Sequence, residues 1–394
     1  MNFQVRNAVG AFGPAWLVMI ADVDVASIIT GLQAGATWGY HLIFVMLLLT
    51  LPLFVIQDAA GRLGTLGRVG LGEAILRRYG RRTALFSAVP MALTDFLEYV
   101  AEYAGIAIGL ALLGLPILLG LGIAYLLHLA IVAGREYRQA ERILLPVSFA
   151  LVASLAASVF FLHVDFGAAV FVGLSPLQPY GASSFRYLAA ASIGAVVMPW
   201  MLYFHSGADS RKRQDLRDPR RERRTTLVSA VVSEVLMVAI VLVGMELPLL
   251  NGSLGIESLG DVLSPLGGLA TLLLGVGFIA AGFLALVVVS MGSAWGVMEA
   301  TGSTSRRSFL AIYVAESSPA LLLVILTTNY VPLILSLMVS FTIVIIPSLY
   351  FLGKLVSDPV TMGGHEHGPR ARAAFWAASA VVVGGGILGM LPFL

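Results

Sequence analysis

Two aspartates lie within an otherwise apolar stretch near the N-terminus, MIADVDVASIIT at residues 19–30. An ionised carboxylate in hydrocarbon costs several kcal/mol, so a pair of them in such a stretch indicates a function. Asp22 and Asp24 are two positions apart, and on a regular helix their side chains would point about 200° away from each other. Only a locally unwound segment lets both face one ion. Carboxylates and freed backbone carbonyls together are oxygen ligands that suit a divalent cation.

Other acidic side chains also occur within apolar segments. Asp95, Glu98 and Glu102 follow the spacing i, i+3, i+7, which places them on one face of a helix. Acids along one face of a membrane helix predict a proton relay or a cation path. Glu234 lies in the apolar run VVSEVLMVAIVLV. It either faces the same cavity, making the site more anionic, or pairs with an arginine of the neighbouring basic segment.

The composition indicates which solvent surrounds these acids. Hydrophobic residues make up 58% and charged residues 12% of the 394-residue chain, and the mean hydropathy is +0.92. These values exclude an ordinary water-soluble protein and predict an integral membrane protein. Because the chain has no cysteine, any soft metal ligand must be a methionine or a histidine. No cleavage pattern follows the first apolar run, so we expect no separate signal peptide.

Apolar runs of about 20 residues, the length that spans the hydrocarbon core, predict eleven transmembrane helices. Gly114 and Pro116 separate the third run from the fourth. The predicted limits are residues 10–33, 40–57, 86–109, 111–133, 143–163, 184–207, 225–249, 267–298, 308–328, 330–352 and 373–393.

The basic residues predict the orientation of the chain in the plasma membrane. Lys and Arg concentrate in cytoplasmic loops. With a cytoplasmic N-terminus and an external C-terminus, all of the 24 basic residues except Arg186 fall on the cytoplasmic side. The densest cluster is the basic segment RKRQDLRDPRRERR, residues 211–224. It is typical of a positive cytoplasmic loop rather than of a nucleic-acid or anionic-lipid site.

Eleven helices divide into two sets of five and one additional helix. Pro199 interrupts helix six, as the aspartates interrupt helix one. Paired interruptions in corresponding helices point to an inverted-repeat secondary transporter with its substrate near the midplane. We therefore predict one all-α transmembrane domain over residues 1–394. Its parts are a first repeat at about 10–163, a second at about 184–352 and an extra helix at 373–393.

Several motifs, in order, resemble those of the NRAMP-type divalent-metal transporters. That family characteristically reads GPG, DPGN and then DLQAGA with GY shortly after, where this chain reads GPAWLVMIADVDVASIITGLQAGATWGY. Further similarities are AEYAGIAIGLALLGLP in helix three, AVVMPW…LYFHS in helix six, VMEA in helix eight and SRR before helix nine. The resemblance covers nearly the whole chain. It implies a LeuT-like fold in which helices one and six supply the metal ligands.

The resemblance also implies a ligand set. DPGN reads DVAS here, which puts Asp24 and Ser27 at the ligand positions of helix one. In helix six it implies the carbonyl of Ala195 and the thioether of Met198. A soft thioether favours Mn²⁺ or Fe²⁺ over Mg²⁺ and Ca²⁺. The alternative for Asp24 is that it only caps a half-helix.

Two further acids are additional candidates for the metal site. Asp22 has no counterpart in the family motif, and it either binds the ion, pairs with an arginine, carries a proton or lines the vestibule. Glu234 aligns close to a family asparagine on the metal path. If both acids face the ion, they favour a hard cation such as Mg²⁺ and oppose the preference that Met198 gives.

The family's proton route is altered in this sequence. Glu102 matches a family glutamate, but Tyr99 stands where the family has an aspartate and Trp200 replaces the histidine of MPH. Arg306 and Arg307 fit the helix-nine arginines that complete the route, although a cytoplasmic positive pair explains them equally well. We therefore do not expect coupling by the family route. Either the helix-three acids supply another one, or the membrane potential drives transport at about 2.3 kcal/mol per charge per 100 mV.

These observations favour a secondary transporter of divalent cations that works by alternating access as a monomer. Mn²⁺ or Fe²⁺ is the favoured substrate and Mg²⁺ the alternative, and we expect no cofactor and no nucleic-acid partner. We find no phosphate loop, nucleophile elbow or zinc-hydrolase motif, which argues against an enzyme. The other hypotheses are an organic-cation transporter, with Trp200 giving a cation–π face, and a non-transporting sensor.

The loop GGHEHG at residues 363–368 is more typical of flexible surface histidines than of a metal site.

Overall fold

A computed structural model describes residues 13–134, 137–161, 164–211, 218–247, 249–250, 253–254, 268–326 and 330–391. Within these residues, nine helices are long and apolar enough to cross a membrane, and the helix at Ile117–Ala133 is a shorter apolar one. The longest of the nine, Val25–Thr65, joins two helices through a 3₁₀ turn at Gly39–Leu42. The chain is therefore a multi-pass, helical membrane protein, as predicted, while the count of eleven spans stays a prediction.

The helices are numbered here in chain order, and the only strands in the described part form one short antiparallel pair. The helices are α1 Pro14–Ala21, α2 Val25–Trp38, α3 Ile43–Thr65, α4 Leu71–Tyr79, α5 Arg81–Leu112, α6 Ile117–Gly134, α7 Tyr137–Ser158, α8 Phe166–Phe171, α9 Ser183–Val196, α10 Pro199–Ser210, α11 Pro219–Met245, α12 Gly268–Thr301, α13 Arg306–Leu326, α14 Tyr330–Val344, α15 Ile346–Leu355, α16 Pro359–Met362 and α17 Pro369–Met390. The strands are β1 Leu249–Leu250 and β2 Ser253–Leu254. Residues 212–217 of the basic segment lie outside the described residues.

Two of the predicted apolar runs each contain a helix boundary. In the first run α1 ends at Ala21 and α2 begins at Val25, and in the sixth α9 ends at Val196 and α10 begins at Pro199. Proline suits the first position of a helix, where its missing N–H has no helical acceptor. It also disfavours helical geometry in the residue before it, and Met198 is accordingly extended, with φ −95° and ψ 150°. The boundary before Val25 has no proline, so a side-chain cap must begin that helix.

Glycines allow the helices at these boundaries to pack closely against their neighbours. A Cβ on Gly35 of α2 would overlap the backbone of Val241 on α11, and one on Gly105 of α5 would overlap the side chain of Val25. Any side chain at either position would push the two helices apart. The contact at Gly105 therefore fixes the start of α2 against α5, and the contact at Gly35 fixes its last turns against α11.

The distribution of polarity is that of a protein surrounded by lipid. Large apolar side chains are exposed on the outer faces of the helices, among them Leu48, Leu118 and Leu326. Buried positions instead include the acids that the sequence singled out, and Asp24, Glu98 and Glu102 are each 0% exposed. Intramembrane acids of this kind face the interior of a bundle and mark ion pathways.

Candidate metal site

The segment between α1 and α2 gives Asp24 two separate roles. Asp24 is extended, with φ −82° and ψ −177°, and its Oδ1 accepts the N–H of Ser27 at 2.7 Å. The capping interaction considered from the sequence is therefore present. It uses only one carboxylate oxygen, and Oδ2 accepts no hydrogen bond from the residues that the structure describes. Asp24 thus caps α2 and keeps an oxygen available for a cation.

Two acids of α5 lie beside Asp24. One carboxylate oxygen from each of Asp24, Glu98 and Glu102 lies within 4.8 Å of the other two, and all three residues are buried. The structure thereby brings Glu98 and Glu102 together with Asp24, the acid of the candidate metal site. Asp95, Glu98 and Glu102 share one helix face as the spacing predicted, but only the last two reach Asp24.

Each of the three carboxylates has one oxygen held by an N–H group. Asp24 accepts from Ser27, Glu98 Oε1 accepts from the indole Nε1 of Trp200 at 3.0 Å, and Glu102 Oε2 accepts from the N–H of Val25 at 3.4 Å. The other oxygen of each finds no hydrogen-bond donor among the described residues. No basic group of the described residues pairs with these three carboxylates, so they repel one another, and a bound cation or added protons relieve that repulsion. We name these three residues the acidic triad.

The boundary between α9 and α10 connects to the acidic triad. The hydroxyl of Ser27 donates to the carbonyl oxygen of Ala195 at 3.0 Å, and Trp200 Nε1 lies 3.3 Å from the Sδ of Met198. Because the same Nε1 donates to Glu98, Trp200 links the thioether to the triad. Hydrogen bonds thus join Asp24, Ser27 and Ala195 in one chain and Met198, Trp200 and Glu98 in another, and the two chains meet where Glu98 lies beside Asp24.

Asp22 and Glu234 are both buried, at 2% and 0% exposure. Asp24 and Glu234 lie close enough to Asp22 for their negative charges to repel its carboxylate. Neither Asp22 nor Glu234 forms an ion pair in the described part of the chain, and Glu234 lies about four turns into α11. No arginine of the described residues therefore serves as a partner for either acid. The two acids extend the negative region around the triad.

The row of acids on α5 continues toward α13. Asp95 is fully buried one turn before Glu98. The negative charge of Glu316 on α13 repels the carboxylate of Asp95. The hydroxyl of Tyr99 donates to Glu316 Oε2 at 3.4 Å. Sequence reasoning missed Glu316, although an acid inside the predicted span 308–328 was a signal that could have found it.

Arg306 and Arg307 lie apart from these acids. Both are exposed at the first turn of α13, about three turns before Glu316. Arg306 donates to the carbonyl oxygen of Ala133 at 2.8 Å, and the N–H of Arg307 donates to Ser305 Oγ at 3.2 Å. The described contacts place both arginines at the helix surface, and their role in completing that route stays a prediction.

A second cluster of possible metal ligands was missed in the sequence. One donor atom from each of His205, Asp209 and Glu222 lies within 4.8 Å of the other two, with His205 and Asp209 fully buried and Glu222 partly buried. His205 and Asp209 are spaced i, i+4 on α10, which was a usable signal. Glu222 belongs to the basic segment, where its surroundings suggested only a charged loop.

The sequence predicted flexible surface histidines in the loop at residues 363–368, but one of them is buried. His367 is only 6% exposed, and its N–H donates to the carbonyl oxygen of Val356 at 2.8 Å. Arg62 also donates to the carbonyl oxygen of His365 at 3.0 Å. The interpretation is therefore wrong for His367, which packs against the protein as a buried residue.

Solved structures define the class of protein to which this fold belongs. The fold matches that of the Eremococcus coleocola manganese transporter with a TM-score of 0.77 at 18% identity, over 99% of this chain and 87% of that one. It also matches MhsT in complex with L-phenylalanine with a TM-score of 0.64 at 12% identity, over 97% and 98% of the two chains. The molecule therefore has the helical fold of these membrane proteins, in agreement with the expected LeuT-like class.

Sequence comparison identifies the family within that class. The family model described as Natural resistance-associated macrophage protein-like matches residues 15–391. A divalent metal cation transporter MntH of Mycobacterium tuberculosis is 31% identical over 94% of this chain and 88% of its own length. The MntH of Bacillus subtilis is 27% identical over 70% and 68%. The chain belongs to the Nramp family, which confirms the resemblance seen in its motifs.

Proposed function

We propose that this protein is a secondary transporter that carries a divalent metal cation across the cytoplasmic membrane by alternating access. The acidic triad is the observation that carries the proposal, because each of its carboxylates is buried, held by one N–H group and left with one unpartnered oxygen. A divalent cation neutralises this arrangement. Relatives named as divalent metal cation transporters support the same substrate class.

The proposed ion lies between the two helix boundaries. Asp24 supplies Oδ2, Ser27 and the carbonyl of Ala195 supply neutral oxygens, and Met198 supplies a thioether. Glu98 and Glu102 bind the ion directly or balance its charge beside Asp24. Asp22 and Glu234 attract the ion toward the site. Mn²⁺ or Fe²⁺ fits this set because each accepts oxygen donors and tolerates a soft sulfur.

Alternating access requires backbone that can change shape on both sides of the ion. Residues 22–24 and 197–198 are outside the helices that flank them, so their dihedral angles can change without breaking a helix. We assign these positions to the interruptions of helices one and six in a five-plus-five inverted repeat with an eleventh helix. The N-terminus lies in the cytoplasm, and one chain is the transport unit.

Trp200 and Tyr99 support transport without the family's proton route. Trp200 donates to Glu98 and Tyr99 donates to Glu316. An indole N–H has no lone pair to accept a proton, and a tyrosine hydroxyl releases its proton only near pH 10. The ion gradient and the membrane potential, worth about 2.3 kcal/mol per charge per 100 mV, then drive the ion.

Mg²⁺ transport is the second candidate function. Carboxylate oxygens outnumber the single thioether around the site, and the Sδ of Met198 already faces the Nε1 of Trp200 at 3.3 Å. If this sulfur does not reach the ion, the remaining ligands are the hard oxygens that Mg²⁺ prefers. The two candidates differ only in the ion and share the acidic triad.

Uptake into proteoliposomes tests both candidates. Mn²⁺, Mg²⁺ and Ca²⁺ are offered separately while a trapped dye records the internal pH. We expect saturable Mn²⁺ entry that Asp24→Ala abolishes, with little change of internal pH. Saturable Mg²⁺ entry without Mn²⁺ entry would establish the second candidate instead. No flux of any cation would overturn the proposal.

A further inference from the structure

We propose that the lipid-facing surface formed by α5 and α15 binds an anionic phospholipid. Each of the two helices presents a stripe of exposed side chains that runs from a basic residue to apolar ones. The stripe on α5 is Arg82, Phe86 and Leu93, and the stripe on α15 is Lys354, Tyr350 and Ile346. None of these side chains belongs to the acidic triad, so the inference stands apart from the proposed function.

The stripe on α5 has the length of one lipid leaflet. Arg82, Phe86 and Leu93 are spaced i, i+4, i+11, which places them on one face of the helix. Phe86 is 64% and Leu93 is 67% exposed, so both are open to acyl chains. Eleven residues of helix rise about 16 Å, close to half of the roughly 30 Å hydrocarbon core. An acyl chain along this stripe therefore brings its headgroup to the level of Arg82.

The stripe on α15 has the same order from its basic end inward. Ile346, Tyr350 and Lys354 are spaced i, i+4, i+8, and Lys354 is exposed in the last turn of the helix. Tyr350 is 48% exposed, and Nζ of Lys354 lies 5.7 Å from the centroid of its ring. Tyrosine is typical of the membrane–water interface, with its ring among the lipids and its hydroxyl toward water. Tyr350 therefore marks the depth at which a headgroup meets its acyl chains.

A direct contact between the two helices places the stripes next to each other. Ser87 Oγ of α5 lies 3.2 Å from Ser348 Oγ of α15, and both serines are buried. Phe86 precedes the first serine, and Tyr350 follows the second by two residues. The axes of packed helices are 8–10 Å apart, which is within the width of one phospholipid molecule with two acyl chains. One lipid can therefore contact both stripes.

Tyr79, the last residue of α4, connects the basic ends of the two stripes. Its ring centroid lies 5.2 Å from that of Phe351, which in turn lies 5.3 Å from that of Tyr350. Tyr79 also precedes Arg82 by only three residues. Arg82 and Lys354 therefore lie at the same end of the surface, with an aromatic floor between them.

The charges at this end favour an anionic headgroup. No ion pair among the described residues includes Arg82 or Lys354, and the nearby Asp358 pairs with Arg78 at 3.5 Å. The two basic side chains can therefore bind a phosphate group, to which a guanidinium donates two parallel hydrogen bonds. Phosphatidylglycerol has a single negative charge there. Phosphatidylcholine adds a quaternary amine, which the two cations repel.

Lipid titrations of the purified full-length protein in detergent, followed by native mass spectrometry, test the inference. We expect phosphatidylglycerol to bind saturably and at least tenfold more tightly than phosphatidylcholine. Arg82→Gln combined with Lys354→Gln should weaken phosphatidylglycerol binding at least tenfold. The matched control is Arg220→Gln combined with Arg224→Gln, which removes two exposed arginines from the first turns of α11 and should change the affinity less than twofold.

Two further measurements separate a lipid from a simple anion. Phe86→Ala combined with Tyr350→Ala removes the exposed apolar contacts and keeps both charges, so it should also weaken phosphatidylglycerol binding. Inorganic phosphate at the same concentration as the lipid should not displace it. Size-exclusion elution and melting temperature verify that each variant is folded.

Three results would overturn the inference. The first is phosphatidylglycerol binding that is unchanged when Arg82 and Lys354 are both replaced. The second is an equal loss in the control at Arg220 and Arg224, which would indicate a general attraction to positive charge. The third is displacement of the lipid by inorganic phosphate, which would indicate an anion site without a role for the apolar stripes.

Discussion

The hydroxyl of Ser27 donates a hydrogen bond of 3.0 Å to the carbonyl oxygen of Ala195. It joins the first turn of α2 to the last turn of α9, so the two helix boundaries are in direct contact. The N–H of Ser27 also holds Oδ1 of Asp24 at 2.7 Å. One serine therefore connects the carboxylate of Asp24 at one boundary to the carbonyl of Ala195 at the other, and movement of either boundary changes the geometry at both.

Loss of this hydroxyl should weaken metal binding. A hydrogen bond between neutral groups contributes about 0.5–1.5 kcal/mol, so we expect Ser27→Ala to raise the KM for Mn²⁺ uptake about 2- to 10-fold. Ser192→Ala is the control, because Ser192 donates to the carbonyl oxygen of Leu188 in its own helix, at 2.8 Å. Equal KM values for the Ser27 variant and the wild type would show that the contact between the boundaries does not contribute to the site.

The indole N–H of Trp200 should also affect the KM for Mn²⁺ uptake. Trp200→Phe keeps an aromatic ring but removes the donor to Glu98 at 3.0 Å. A hydrogen bond to a charged group contributes about 1.5–3 kcal/mol, so we expect the KM for Mn²⁺ to change by about ten- to a hundredfold. Trp295→Phe, at a buried tryptophan on α12, controls for the loss of indole volume. The same change in both variants would remove the hydrogen bond from the explanation.

Met198 should control the choice of ion more than the rate of transport. Without its thioether the site keeps only oxygen donors, so we expect Met198→Ala to transport Mn²⁺ and to discriminate less against Mg²⁺ and Ca²⁺. Competition of each ion against Mn²⁺ uptake measures this discrimination. Met46→Ala removes a buried methionine of α3 and is the control. Selectivity that is unchanged in Met198→Ala would exclude the sulfur from the site.

The sequence predicted the parts of the site that local chemistry determines. Asp24 was identifiable because an acid inside an apolar run is unusual, and Met198 because its motif resembles that of the family. The approach of Glu102 to Asp24 was not predictable in the same way, because it depends on how α5 packs on α2 at Gly105. The cluster at His205 likewise needs Glu222, which comes from a different helix and lies within a basic segment.

His367 should make stability depend on pH. Burial, together with the positive charges of Arg62, Arg372 and Arg223, lowers the pKa of His367 to about 4. In the unfolded chain a histidine has a pKa of about 6.5, so between these values the unfolded state binds the additional proton. The free energy of unfolding therefore falls as the pH falls from about 6.5 toward 4.

Melting temperatures in detergent at about pH 7 and pH 5 measure this dependence. The wild type should lose stability between the two conditions, and His367→Gln should lose less of it because the variant has no group to protonate there. Identical losses in the two proteins would show that His367 does not contribute to the pH dependence.

The measurement that bears most directly on the substrate site is Mn²⁺ uptake into proteoliposomes by isosteric amide variants of the acidic triad. Asp24→Asn and Glu102→Gln keep the size of each side chain and remove its charge, and Glu73→Gln does the same at an exposed acid of α4. We expect wild-type uptake for Glu73→Gln, no saturable uptake for Asp24→Asn and at least a tenfold loss of kcat/KM for Glu102→Gln. Saturable uptake with wild-type kcat/KM in both triad variants would contradict the assignment of the substrate to these carboxylates.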